Sequence, residues 1–294
     1  MKIYICSLIS KKNLKYLNSH LNSINKLSTP NNYKTKIVFV MNPKMNSNRY
    51  LVKKFLNKND YIILKSLKEN IPHSRNIFLK FIKDKDFKYA GFLDDDCMID
   101  KKWLLNMLKF INQNRCDIVG GPQKHVIKNK IFKNYYHALE PNRKHGEIVR
   151  WVATNNCFFK KKVIKNLEVL FDTKLTSYGG SDQLFFNELY KKKFIIKWNT
   201  KSFITENYNF EREKKIWFLR RNLRYGYSGN LIDSKIYGKL SLIIIFLKIL
   251  YLIGNSFFLI FFPSRKNIIK AYFFLLRAAG RFMGLVNYKP KKYV

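Results

Sequence analysis

Short apolar runs alternate with helix-periodic segments through the first 120 residues, and few folds accommodate that alternation. Strands are expected at Lys2–Ser7, Lys36–Met41, Tyr61–Lys65, Tyr89–Leu93 and Asp117–Gly120. Between the first two, Leu14, Leu17, Leu21 and Ile24 recur at steps of three and four, one face of a helix. Ile77, Phe78, Phe81 and Ile82 repeat the pattern before the fourth strand, and Trp103, Leu104, Met107, Leu108 and Ile111 repeat it after. Such a chain builds a largely parallel sheet with helices on both faces. Ligands of these sheets bind beyond the carboxyl ends of the strands.

One of those ends carries an unusual charge cluster, in "YAGFLDDDCMIDKKW", residues 89–103. The chain has 57 Lys+Arg against 19 Asp+Glu, so three adjacent carboxylates are conspicuous. Like charges this close are unfavourable unless something positive lies among them. Asp94 and Asp96 project to one side of an extended turn and Asp95 to the other, so two hard oxygen ligands can meet one Mg²⁺ or Mn²⁺. A plain N-cap cluster for the helix starting near Lys101 is the competing account, but Asp100 suits that role better. Met98 stands where a haloacid-dehalogenase motif has Thr or Val, and where a calcium loop has an oxygen ligand.

Two further stretches carry candidate chemistry. In "SYGGSDQLFFNEL", residues 177–189, two glycines permit a backbone turn closed to other residues, after which Ser181 and Asp182 open a helix with Leu184, Phe185 and Leu189 on its apolar face. Asp182 there reads as a first-turn carboxylate favourable with the helix dipole, or as a general base taking a proton from a hydroxyl nucleophile. In "ENYNFEREKKIWFLRRNLRYG", Arg220 and Arg224 lie one helical turn apart. They form a solvated basic face, or a fork for a diphosphate leaving group.

The formal net charge of +38 raises nucleic acid or an anionic membrane as partner, yet Lys, Asn and Ile are spread along the whole chain, as compositional drift would leave them. No aromatic-interleaved recognition motif accompanies the charge, and no nucleic-acid partner is expected. Cys6, Cys97, Cys116 and Cys157 are far apart and suggest buried free thiols of a reducing compartment. "MKIYICSLISKK" is too short in its apolar part for a signal peptide and reads as a first strand, which keeps the catalytic part in the cytoplasm.

From Ser234 to Val294 there is no Asp or Glu, while eleven Lys or Arg remain, the last three being Lys289, Lys291 and Lys292. Leu240–Phe262 carries a single charge and, as a helix of about 35 Å, is long enough to span a bilayer. In the following "NIIKAYFFLLRAAGRFMGLV", Lys270, Arg277 and Arg281 share one face, the pattern of an interfacial amphipathic helix. Basic residues flank the apolar run on both sides, against the positive-inside bias, so monotopic in-plane attachment is favoured over a single span.

Seven segments occur in a telling order: "IPHSRN", "YAGFLDDDCMIDKKWL", "IVGGP", "ATNNCFFKKKVI", "FDTKLTSYGGSDQLFFNELYKKKFIIKW", "ENYNFER" and "RRNLRYG". Together they resemble glycosyltransferase family 2, and more narrowly the bacterial succinoglycan-biosynthesis type, over residues 2–230 and into "RAAGRFMG". The resemblance implies a GT-A fold, α/β with a Rossmann-like mixed sheet, over residues 1–230. It divides that domain into a nucleotide-sugar half, 1–120, and an acceptor and catalytic-base half, 121–230, followed by a membrane-associating tail, 231–294. It implies inverting transfer of a sugar from a nucleotide-sugar, a UDP-sugar above all, to a hydroxyl of a glycan or lipid-linked acceptor. The setting would be surface polysaccharide or lipopolysaccharide synthesis at the cytoplasmic face of the plasma membrane. By the same analogy Asp94 and Asp96 hold the Mn²⁺ or Mg²⁺ and the donor, with Asp95 between them. Glu206 is a third metal-side ligand, Arg75 lies near the nucleotide, and Asp182 is the base; Arg220 and Arg224, from their own spacing, remain the candidates for contact with the donor diphosphate. The chain departs from the family pattern in "IVFVMNPKMN", which has no carboxylate near the nucleobase, and in the first loop "CSLISKKN". A nucleotidyltransferase would share the sheet and the carboxylates, but it usually needs a glycine-rich phosphate loop, and "CSLISKK" has no glycine.

Overall fold

Strands β1 (Lys2–Ile9), β2 (Lys34–Met41), β3 (Tyr61–Lys65) and β4 (Tyr89–Asp94) pair in parallel in the order β3-β2-β1-β4. In this computed structural model, which describes residues 1–10, 14–42, 44, 46–55, 60–127, 130–139, 141–165, 168–207 and 210–291, they are four strands of a seven-stranded sheet. Of the sequence features above, Lys11–Asn13, Pro43, Met45, Tyr208, Asn209 and Lys292 lie outside the described residues. β8 (Asn156–Lys160) joins β4 antiparallel, and β6 (Ile118–Gly120) and β9 (Ile196–Trp198) complete the order β3-β2-β1-β4-β8-β6-β9. The sheet is therefore mixed, and β8, within "ATNNCFFKKKVI", is the strand that reverses its direction. A second, three-stranded sheet runs β5-β10-β7, from Cys97–Ile99, Ile204–Asn207 and Gln123–Val126.

The chain divides into two compact units. The first comprises Met1–Val126, Arg143–Thr173 and Phe185–Asn207 and contains both sheets. Helices α1 (Leu14–Asn25), α2 (Asn46–Phe55), α3 (Ile71–Lys83) and α4 (Trp103–Gln113) connect its parallel strands. Alternate strand residues feed two separate cores, as the two-residue period of a strand requires. Ile3, Ile5 and Phe39 meet Leu17, Leu21 and Trp103 on one face. Tyr4, Cys6, Val38 and Phe92 meet Phe78, Ile82 and Phe185 on the other. Asn156 joins the pieces: its Oδ1 accepts from Trp103 Nε1 at 2.8 Å, and its Nδ2 donates to the carbonyls of Pro122 and Ser202. A buried amide satisfied three ways specifies one arrangement and leaves no polar atom wanting.

The second unit comprises Ile127–Asn142, Lys174–Leu184 and Tyr208–Val294. It holds α5 (Lys130–Leu139), the first turn of α7 (Ser181–Lys191), and α8 (Lys215–Tyr237), α9 (Ser241–Phe261) and α10 (Arg265–Leu285); the short helix α6 (Lys162–Lys165) belongs to the first unit. Residue 230 lies within α8, a single uninterrupted helix. Helix α10 runs parallel to α8, with Phe218 stacked on Phe273, Asn222 beside Arg277 and Asn230 beside Arg281. The two backbones meet through glycines. A Cβ added at Gly226 would stand 2.1 Å from the Arg277 carbonyl oxygen, and one at Gly280 2.1 Å from that of Leu223. Helix α9 returns antiparallel: Ser256 Oγ donates to Ala271 O at 2.9 Å, and Ile245 and Ile249 pack with Ala278 and Leu285.

The basic face of α10 corrects the sequence expectation. Arg277 and Arg281 turn inward onto α8, not outward as an interfacial helix would hold them. Arg277 Nε donates to Asn222 Oδ1 at 2.9 Å, and Arg281 Nη1 donates to Asn230 Oδ1 at 3.0 Å and Asp233 Oδ2 at 2.8 Å. Lys248, the one charge in α9, donates to the other oxygen of Asp233 at 2.6 Å. Arg281 and Lys248 thus neutralise the buried Asp233 carboxylate on α8, which alone would be costly to bury. The apolar side of α10 faces outward instead, with Ile268, Tyr272, Leu275 and Phe282 exposed.

Candidate active site

The parallel register of β1 and β4 places Asp94 opposite Leu8, so the turn that follows lies beside the end of β1. There the Ser10 amide donates to Asp95 Oδ2 at 2.6 Å, which fixes the middle carboxylate of the three as a buried acceptor. Asp94 retains 33% side-chain exposure, and Asp96 is 5% exposed. The turn passes directly into β5, whose Cys97 pairs with Glu206 of β10, while the Asn207 amide donates to the Asp96 carbonyl at 3.0 Å. Glu206 is thereby held next to the aspartate turn. On its other side β10 pairs with β7, bringing His125 Nδ1 to 3.7 Å from Glu206 Oε2. Burial pushes the Cys97 thiol well up, and Asp96, Glu206 and Asp94 push it further, so it remains protonated amid the carboxylates. Its S–H is oriented on Asp96 Oδ1 at 3.5 Å.

Arg75 enters from α3. Asn70 caps that helix, its Oδ1 accepting from the His73 amide at 2.9 Å, and Pro72 occupies the first turn where a missing N–H costs nothing. Asn76, next along, grips the Phe171 backbone with two 2.8 Å hydrogen bonds. Arg75 is then aimed by its neighbours: its guanidinium stands 5.5 Å from the Phe171 ring, with Nη2 3.8 Å from Asp94 Oδ1. Its Nε is buried and has no hydrogen-bond partner. A buried guanidinium with spare donors suits an anionic ligand.

The aspartates fit a divalent cation in a specific sense. Among the described residues no three His, Cys, Asp or Glu side chains form a cage. Mg²⁺ and Mn²⁺ are commonly held by one or two carboxylates, with substrate phosphates completing the shell. Asp94 and Asp96 provide hard oxygens of that kind, and Asp95, committed to Ser10, is occupied elsewhere.

Asp182, Arg220 and Arg224 belong to the second unit. Asp182 lies in the first turn of α7, half-buried, its Oδ1 accepting from the Gln183 amide at 3.0 Å. The preceding glycines adopt left-handed conformations, with φ +82° at Gly179 and +88° at Gly180. A Cβ at Gly180 would come within 2.7 Å of Ile232 Cδ1, so α8 supports this loop closely. Tyr178 against Tyr227 and Leu184 against Ile232 extend the contact. Arg220 and Arg224 both lie on α8, where Arg220 is exposed and Arg224 buried.

A family model for glycosyl transferase family 2 matches residues 8–169, more than half of the chain. The chain belongs to glycosyltransferase family 2. Among solved structures, the mannosyltransferase PcManGT from Pyrobaculum calidifontis, in complex with GDP-Man and Mn²⁺, aligns with a TM-score of 0.64 at 12% identity, covering 98% of this chain and 88% of that one. Residues 1–349 of S. aureus TarS in complex with UDP-GlcNAc align at 0.55 and 14%, covering 98% and 92%. These likenesses establish the GT-A fold. No curated protein matches.

Beneath the aspartate turn of this glycosyltransferase is a group that sequence reading missed. His20 of α1 is fully buried, with Nδ1 2.7 Å from the Cys97 carbonyl and Nε2 2.8 Å from Ser7 Oγ. The carbonyl can only accept, so Nδ1 carries the proton and the Ser7 hydroxyl donates to Nε2. Burial holds the imidazole down to about 4, against an ordinary 6.5, the bond to Cys97 opposing it. The unfolded chain takes up this proton below pH 6.5 and the folded chain only below about pH 4. Stability is therefore full above 6.5 and falls as pH drops towards 4, by about 3 kcal/mol in all. In urea titrations, His20→Gln should be less stable at pH 7 yet lose less than the parent between pH 7 and 4. An equal loss in both proteins would refute the assignment. His125 was missed for a related reason. A lone histidine in "GGPQKHV" carries no local signal, and its neighbour Glu206 arrives only through sheet pairing.

Proposed function

We propose that the protein is an inverting, metal-dependent glycosyltransferase. It would move a sugar from a nucleotide-sugar, a UDP-sugar above all, to a hydroxyl of a lipid-linked glycan during surface polysaccharide or lipopolysaccharide synthesis. It would act at the cytoplasmic face of the plasma membrane. Family membership supports glycosyl transfer. The observation that carries the finer reading is the aspartate turn at the carboxyl end of β4, with Arg75 3.8 Å from Asp94 and Glu206 alongside on β10.

In this mechanism Asp94 and Asp96, with Glu206, would hold the divalent cation, which when bound would supply positive charge for the diphosphate leaving group. Arg75 binds the nucleotide portion with its spare donors, and Arg220 and Arg224 contact the departing diphosphate. Asp95 keeps the turn in register through Ser10. Asp182 accepts the proton of the acceptor hydroxyl as its oxygen forms a bond to the anomeric carbon. The bond to the diphosphate oxygen breaks on the opposite face, carrying its electron pair with it. One displacement inverts the anomeric centre, and no covalent glycosyl-enzyme is formed.

The test is a panel of nucleotide-sugars incubated with the protein and Mn²⁺ or Mg²⁺, with nucleoside diphosphate release as the readout. Release should require the metal and fall to background with chelator. Release of pyrophosphate instead would identify a nucleotidyltransferase. Salt-sensitive DNA retention without turnover of any donor would identify a nucleic-acid-binding protein.

A further inference from the structure

We infer that α9 lies in the plane of an anionic bilayer as the lipid-facing helix of the α8–α9–α10 layer, and that it does not cross the bilayer. This sharpens the membrane placement proposed above and is independent of the catalytic roles. Ile243, Phe246, Leu247, Leu250, Phe258 and Phe261 on α9 are each at least 50% exposed. Only the Ser241, Ile245, Ile249 and Ser256 stripe is buried. The exposed stripe of α10, from Ile268 to Phe282, continues the apolar surface. A patch of this extent marks a binding surface.

The charges around the patch select its occupant. Arg277 and Arg281 are turned inward onto α8 and Lys248 is tied to Asp233, so the exposed basic residues with no such tie to α8 are at the helix ends. Lys235, Lys239, Lys289 and Lys291 lie at one end, and Arg265 and Lys266 at the other. No acidic residue occurs anywhere from Ser234 onward. An apolar strip with cations at both ends matches acyl chains bordered by anionic headgroups. A second copy of the same face would set cations against cations in either orientation.

Helix packing decides between lying in the membrane and crossing it. Helix α10 follows α8 from Phe218 to Asn230, and α9 folds back along α10, tied by Lys248 to Asp233 and by Ser256 to Ala271. The three axes lie side by side. Turning α9 across a bilayer would carry α8 into hydrocarbon, with Lys215, Arg220, Arg221 and Arg224 on it. Lying flat, α9 meets the acyl boundary while α8 stays on the water side.

Flotation of the full chain without donor, on vesicles of phosphatidylcholine alone or with phosphatidylglycerol, tests the inference. Binding should need the anionic lipid and weaken with salt. Phe246→Glu and Phe258→Glu, at exposed positions, should each weaken binding by about tenfold or more while retaining donor turnover in detergent. All four native cysteines are buried, so Lys266→Cys offers a clean label at the turn between α9 and α10. A membrane-impermeant maleimide should modify it from outside intact vesicles. Protection until the vesicles are lysed would mean a crossing hairpin, and a lipid-indifferent dimer would mean self-association; either overturns the inference. Loss of turnover with binding intact would instead indict the catalytic reading and leave this one standing.

Discussion

Asp182→Asn should lower kcat by about 10²–10⁴-fold, the usual contribution of a general base, with donor affinity unchanged. The substitution is nearly isosteric and keeps the oxygen that accepts from the Gln183 amide, so the first turn of α7 should survive. What it removes is the capacity to take a proton. The competing account of Asp182, as a carboxylate stabilising the helix dipole, makes a different prediction. Losing that charge would cost about 0.3–1 kcal/mol of stability and leave kcat intact. Thermal unfolding and single-turnover rates on the same variant therefore separate the two. Normal turnover in a slightly less stable protein would remove Asp182 from the mechanism.

How far the molecule was legible in its sequence depended on whether a feature is local. Tyr61–Lys65 was expected as a strand and is one to the residue, and the three-and-four spacing of Leu14 to Ile24 became α1. Periodicity is a local property and survives folding. Strand direction is not local, so nothing in "NCFFK" announced that β8 would run antiparallel between β4 and β6. Helix α2 was overlooked because "NSNRYLVKKF" is mostly polar. In α10 the face was read correctly and its orientation wrongly. Hydropathy sends arginines to solvent, and only Asn222, Asn230 and Asp233, on a helix distant in sequence, provide the inner surface that draws them in. The site divides along the same line. The aspartate triplet was conspicuous as a string, whereas Ser10, His20 and His125 acquire meaning only from what the sheets bring beside them.

Because the three aspartates have different partners, alanine at two of them should produce opposite phenotypes. Asp96 holds the turn through its backbone: the Asn207 amide donates to its carbonyl, a bond that Asp96→Ala retains. That variant should fold normally and lose metal-dependent nucleotide binding by about tenfold or more, as expected when one of the charged ligands disappears. Any affinity for nucleotide without metal should not change. Asp95→Ala removes the acceptor of the Ser10 amide and leaves a part-buried donor unsatisfied. It should cost about 1–3 kcal/mol of stability, with the metal dependence of binding preserved in whatever protein remains folded. Calorimetric titration of a nucleoside diphosphate with and without Mn²⁺, beside urea unfolding, reads both quantities. If Asp96→Ala binds with undiminished metal dependence while Asp95→Ala loses it, the cation belongs to the carboxylate facing β1, and the division of labour drawn from the turn must be reversed.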